Sequence, residues 1–135
     1  MQDMMAVVIP LRIEVAGKVT RPVVIILQHQ MNVAVVDSGG NLVAFQRMDG
    51  AQLASIQISE HKARAAVTFR RETRVFENAV QQSNFNYVMT VDGVVASRGG
   101  IPLVEDGKLI GAIGCSGGTG SQDEVACKVG AATVK

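Results

Sequence analysis

The stretch Gly99 to Glu124, GGIPLVEDGKLIGAIGCSGGTGSQDE, decides the fold. Asp106-Gly107 lies between the apolar runs Ile101-Pro102-Leu103-Val104 and Leu109-Ile110-Gly111-Ala112-Ile113. Both central residues of a two-residue hairpin turn need positive φ, which Asp-Gly tolerates, so the spacing predicts a β-hairpin. Pro102 near the first strand's start marks an edge or a strand end. After Ile113, Gly114-Cys115-Ser116-Gly117-Gly118-Thr119-Gly120 is too glycine-rich to continue a strand, and its small residues permit close backbone approach. Ser121-Gln122-Asp123-Glu124 fits a capping box, in which Ser121 accepts from the third helical amide and Glu124 reaches back to the cap amide. A last helix is therefore expected through Val125 to about Val134. A glycine loop feeding a helix N-terminus can hold an anion, or can be simply a tight strand-to-helix turn. Asp123 and Glu124 already answer the dipole, and the Lys-Ser/Thr pair of a P-loop is absent.

Working outward, Val33-Ala34-Val35-Val36 and Leu42-Val43-Ala44-Phe45 flank Asp37-Ser38-Gly39-Gly40-Asn41, a second hairpin signal. Leu53, Ile56, Ala63 and Val67 recur near helical spacing and predict a helix over Leu53–Phe69, followed by a short one over Arg74–Gln82. Tyr87–Thr90 or Val94-Val95 is expected to add a strand. Upstream, Glu14–Val19 fits a strand or a helix. With Thr20 as cap and Pro22 in the first turn, a helix from Thr20 to about Gln30 is favoured despite the β-branched Val23-Val24-Ile25-Ile26. Hairpin-joined strands with helices beside them imply an α+β chain with an antiparallel sheet.

Composition narrows the function. The chain has 135 residues, 47% of them apolar, and a net charge of +1, which suits one compact domain over residues 1–135. Its 13 Lys and Arg and 12 Asp and Glu are scattered, which speaks against nucleic acid and a membrane surface as partners. Met1-Gln2-Asp3-Met4-Met5 lacks the basic start of a signal peptide, and no apolar run nears the roughly 18 residues of a membrane span, so a cytoplasmic location is expected. Cys115 and Cys127 have no metal-ligand spacing around them and are expected free and reduced. With one Tyr, four Phe and no Trp the core must be built of small side chains, which favours burial against copies of the same chain.

The motifs Asn32-Val33-Ala34-Val35-Val36-Asp37, Gly39-Gly40-Asn41-Leu42-Val43-Ala44, Arg47-Met48-Asp49-Gly50-Ala51, Lys62-Ala63, Gly99-Gly100-Ile101-Pro102-Leu103, Gly111-Ala112-Ile113-Gly114, Ser116-Gly117 and Gln122-Asp123-Glu124 together resemble the GlcG/HbpS-like family. That family includes the C-terminal domain of PduO-type proteins, and the resemblance runs from about Asn32 to the C-terminus. It implies a profilin-like α/β/α fold with a central antiparallel sheet, assembled as dimers up to octamers. Among such relatives are haem-binding sensors, proteins encoded beside glycolate or diol metabolism, and an enzyme acting on an unsaturated, amino-acid-derived dicarboxylate. Relatives open with an Ala-rich amphipathic helix, and residues 1–31 depart from that pattern.

The resemblance makes haem or a small carboxylated metabolite the candidate ligand. His29 and His61 are the only histidines. His29, beside Met31 and the first strand, is the first choice for an iron ligand, because neutral imidazole is a common haem donor and relatives place a ligand there. The bland reading is an exposed histidine at a helix end, and His61 is expected to face solvent or a subunit interface. Arg47, Asp49 and Lys62 could form a buried ion-pair network, or Arg47 and Lys62 could clamp an acidic ligand. Gly99, Gly100 and Gly117 would form one wall of that pocket, with Gln122 and Asp123 able to close it. Three functions stay open: a small-molecule or haem-binding module, a hydrolase or deaminase of a small dicarboxylate with Lys62 or His29 as base, and a non-catalytic assembly protein.

Overall fold

The computed structural model describes residues 5–9, 14–15, 18–19, 23–27 and 30–134. Its centre is a four-stranded antiparallel sheet in the order β6-β5-β8-β7, from β5 (Asn32–Asp37), β6 (Leu42–Arg47), β7 (Gly100–Glu105) and β8 (Lys108–Ser116). Both hairpins are borne out. Asp106 and Gly107 take φ of 51° and 76°, the paired left-handed torsions that a two-residue turn demands. At the other hairpin Asp37 Oδ1 accepts from the amides of Gly39 at 2.9 Å and Asn41 at 3.0 Å, so one side chain shapes the loop.

Helix α1 (Ala54–Phe69) covers one sheet face, where Ala34, Val36, Ala63, Ala66, Val67 and Ala112 form a core. These small residues let the backbones close up. A Cβ on Gly114 would stand 2.6 Å from the amide nitrogen of Ala63 and closer still to the carbonyl of Ser59, so only glycine fits beneath the helix. On the opposite face α3 (Gly120–Ala131) closes a second core of Met31, Val33, Val35, Ile101, Leu103, Ile110 and Ile113. The result is the expected α/β/α layering, with α2 (Arg74–Gln81) and a 3-10 turn η1 (Asn86–Thr90) between α1 and β7.

Five local expectations are corrected. The strand expected to stop after Ile113 continues as β8 through Gly114, Cys115 and Ser116, because the close approach of α1 needs glycine at 114 and pairing with Ala34, Val33 and Asn32 of β5 holds the run extended. Residues Val23–Leu27 form a strand, β4, paired antiparallel with β1 (Met5–Ile9) from Val23 opposite Ile9 to Leu27 opposite Met5, so they do not continue a helix. The rest of the expected Thr20–Gln30 helix lies outside the described residues, save Gln30, which is not helical. A run of β-branched residues loses rotamer freedom in a helix and fits a pleated surface, and that outweighed the favourable Pro22 position. Upstream, Glu14–Val15 (β2) and Lys18–Val19 (β3) pair antiparallel. Tyr87–Thr90 belongs to η1 and residues 94–95 are irregular, so neither adds a strand. The last helix is capped by Thr119, which accepts from the Gln122 amide at 3.3 Å while Gln122 Oε1 accepts from the Thr119 amide at 2.9 Å; Ser121 is not the cap. Cys115 and Cys127 are joined in a disulfide, because the register of β8 and the second turn of α3 bring their Cα atoms to 5.7 Å.

Candidate functional site

Among the described residues Lys62 is the largest fully buried side chain, and it lies at the joint of three elements. From the sheet-facing side of α1 it reaches the last residues of β8, where its Nζ donates to the Cys115 carbonyl at 3.1 Å and pairs with Asp123 Oδ2 at 2.8 Å. The other Asp123 oxygen accepts from the Gly118 amide at 2.9 Å. Gly99 lies against this pair with φ of 125°. A Cβ there would stand 2.8 Å from the Cys115 carbonyl oxygen and 3.1 Å from Lys62 Nζ. A buried ion pair that also engages the Cys115 carbonyl and the Gly118 amide is a structural joint between α1, β8 and α3.

The neighbouring glycines serve the same packing. The amide of Gly100 donates to Thr73 Oγ1 at 2.9 Å, and a Cβ on Gly100 would meet Thr73 Cγ2 at 2.6 Å. At Gly117 a Cβ would stand 2.9 Å from Met31 Cα. On the side where a side chain would stand, the space at Gly99, Gly100 and Gly117 is taken by the protein's own chain. Behind it, Glu124 gathers Lys128 at 2.8 Å and Arg74 and Arg98 at 3.6 Å, while Arg98 also pairs with Glu77. The hydrogen bond with Glu77 raises the pKa of Arg98 above an already high value, so this guanidinium is a fixed cation.

The expected network of Arg47, Asp49 and Lys62 does not form. Arg47 ends the edge strand β6, Asp49 follows it in the turn, and both are exposed, with no ion pair to another described residue. Lys62 is two turns into α1, opposite the central strand, and its charge is answered by Asp123 from the far end of the chain. His29 lies outside the described residues.

An open concavity lies elsewhere among the described residues. On the outer side of α1, His61, Arg64 and Thr68 face the irregular segment Asp92-Gly93-Val94-Val95 across a groove of about 530 Å³. The helical spacing of 61, 64 and 68 lines their side chains up along one stripe. His61 is exposed, as expected, and forms part of this lining. The stripe was legible as a polar helix face, but nothing local in the sequence says that residues 92–95 return to cover it. The groove offers an imidazole, a guanidinium, a hydroxyl and a carboxylate with two apolar side chains opposite. Among the described residues there is no group of three or more His, Cys, Asp or Glu that could hold a bare metal ion, and no helix long and apolar enough to cross a membrane.

Comparison with known proteins agrees with this architecture. The family model for haem degrading protein HbpS-like matches residues 14–132, extending upstream of the Asn32 motif. Protein GlcG of Escherichia coli strain K12 is 41% identical over 86 residues, 64% of this chain and 63% of GlcG, so the match spans less than two thirds of that relative's length. The corrinoid adenosyltransferase PduO of Salmonella typhimurium is 36% identical over 100 residues, 72% of this chain but only 30% of PduO. Among solved structures, the PduOC:heme complex superposes with a TM-score of 0.71 at 31% identity, covering 80% of each chain. Klebsiella pneumoniae protein ORFY gives 0.70 at 34% identity, covering 78% of this chain and 74% of that one. The shared sheet, the helices on its two faces and a family match over most of the sequence lead to one assignment: this chain belongs to the HbpS-like family.

Proposed function

We propose that this protein binds a small molecule in the groove between α1 and residues 92–95, and that haem is the ligand. The observation that carries the reading is the groove itself. Its volume of about 530 Å³ falls within the range of ligand pockets, roughly 300–1,000 Å³, and its lining combines apolar surface with a few convergent polar groups.

The lining suits a haem. His61 would hold the haem iron through an imidazole nitrogen. Arg64, three residues on, offers a guanidinium for a propionate carboxylate, and Val94 and Val95 give the macrocycle apolar contact. Bound haem would supply an iron centre whose reactivity depends on that ligand and on the surrounding polarity. Thr68 and Asp92 set the polarity of the groove, while the buried Lys62–Asp123 pair keeps α1 fixed against the sheet behind it. A relative of the same fold solved as a haem complex supports the choice of ligand. Of the two bases expected for a hydrolase, Lys62 is held in its buried ion pair, which speaks against that role for it, and His29 lies outside the described residues.

The test is absorbance titration with haemin. Saturable binding with a shifted Soret band is expected, lost in His61→Ala and weakened in Arg64→Ala. A Soret shift that survives His61→Ala but disappears in His29→Ala would transfer the ligand role to His29 and overturn the groove.

A further inference from the structure

At the end of the sheet away from the Asp106-Gly107 turn, three polar residues stand in one cross-strand row. Asn32 on β5 lies opposite Arg47 on β6 and Ser116 on β8. Facing residues share a side of a sheet, and this side carries α1, since Ala34 and Ala112 on the same strands pack against it. The row lies beneath the start of that helix. Asn32 Nδ2 lies 3.5 Å from the Gln52 carbonyl, which also accepts the Ser55 amide of the first turn at 3.1 Å.

Two buried groups there lack partners. Asn32 and Ser55 are both fully inaccessible, and neither Asn32 Oδ1 nor Ser55 Oγ has a hydrogen-bond partner. Leaving a buried polar atom without a hydrogen bond costs about 1–3 kcal/mol, so two such atoms on residues that both meet the Gln52 carbonyl call for a further participant. The same helix start has no side-chain cap and no acidic residue in its first turn. Its positive end and the Arg47 guanidinium therefore favour an anion. Asn32 Oδ1, in contrast, can only accept, so it requires a donor.

We propose that the N-terminal end of α1 is a recognition site for a small carboxylate carrying a hydrogen-bond donor next to the carboxylate. The carboxylate sits between Arg47 and the first turn of α1 with Ser55 Oγ donating to it, and the neighbouring donor satisfies Asn32 Oδ1. This site is separate from the groove and does not depend on haem binding.

Calorimetric titration of the full chain with lactate, alanine and propionate tests it, since these differ in what stands beside the carboxylate. Lactate or alanine is expected to bind about tenfold or more tightly than propionate, and which of the two binds identifies the donor as hydroxyl or ammonium. Arg47→Ala, a substitution of an exposed residue, is expected to weaken binding about tenfold or more, and Ser55→Ala to weaken it while the circular dichroism spectrum is kept. Equal affinity for all three acids, absence of saturation at millimolar concentration, or indifference to Arg47→Ala would overturn the proposal. So would a crystal grown with the acid that shows only a water bridging Asn32 and Ser55.

Discussion

Replacing Lys62 by methionine separates a structural joint from a ligand clamp. Lys62 and Asp123 are 2.8 Å apart and almost wholly removed from water, with side chains 1% and 4% exposed. Removing the cation strands a buried carboxylate, and breaking such a pair costs about 3–5 kcal/mol. An unfolding entropy of about 2.1 cal/mol/K per residue over 135 residues converts this into a fall in Tm of roughly 10–18 °C. The double variant Lys62→Met/Asp123→Leu removes both charges. Two partners lose their bonds: the amide of the exposed Gly118, which can turn to water, and the carbonyl of the buried Cys115, whose lost donor costs about 1–3 kcal/mol, so recovery to about 1–3 kcal/mol below the parent is expected. Thermal and urea unfolding followed by circular dichroism give both numbers, and a haemin titration of the folded double variant gives the third. A single variant within about 1 kcal/mol of the parent would refute the joint. A well-folded double variant that no longer binds haemin would refute the claim that Lys62 is structural alone.

Other outcomes follow from neighbouring features. The Cys115–Cys127 bond closes a short loop with a sequence separation of 12, for which chain entropy gives about 3 kcal/mol; a dithiol should lower Tm by about 10 °C in the parent and leave Cys127→Ser unmoved. Detection of two free thiols in air-oxidised, denatured protein would contradict it. Thr119→Ala should cost about 1 kcal/mol in urea unfolding and Ser121→Ala only a few tenths, since Thr119 alone makes the cap; the reverse order would restore the other capping box. Gly107→Ala meets no neighbour within 4 Å and should cost about 1–2 kcal/mol for its φ of 76°, whereas Gly114→Ala drives a methyl into the backbone of α1 and should cost more. Equal losses would mean that α1 does not sit so tightly on β8.

How much was legible varied with the range of the forces involved. The turn at Asp106-Gly107 and the loop at Asp37–Asn41 were clear because torsional constraint and an Asx hydrogen bond act within a few residues. The final helix was clear in kind but not in its first residue. Thr119 to Gln122 and Ser121 to Glu124 both satisfy the capping pattern, and the glycine loop's path through Gly117 and Gly118 chose the first. Glu124 was then left to gather Arg74, Arg98 and Lys128. At Val23–Leu27 two local preferences disagreed, a proline suited to a helix start and a β-branched run suited to a strand, and pairing with Met5–Ile9 settled it.

The amino-acid sequence by itself determined the two central hairpins and helix α1, because each rests on periodicity or turn chemistry written into contiguous residues, while its set of motifs from Asn32 onward carried the resemblance that implied the family and its layered arrangement. Only the tertiary structure decided that Lys62 answers Asp123 across 61 positions, that Cys115 meets Cys127, that Arg47 stands beside Asn32 and that His61 lines an open groove facing residues 92–95. Side-chain partners in a core are chosen by which surfaces the packed layers bring together, and a charge or a thiol carries no local mark of the distant group that will face it.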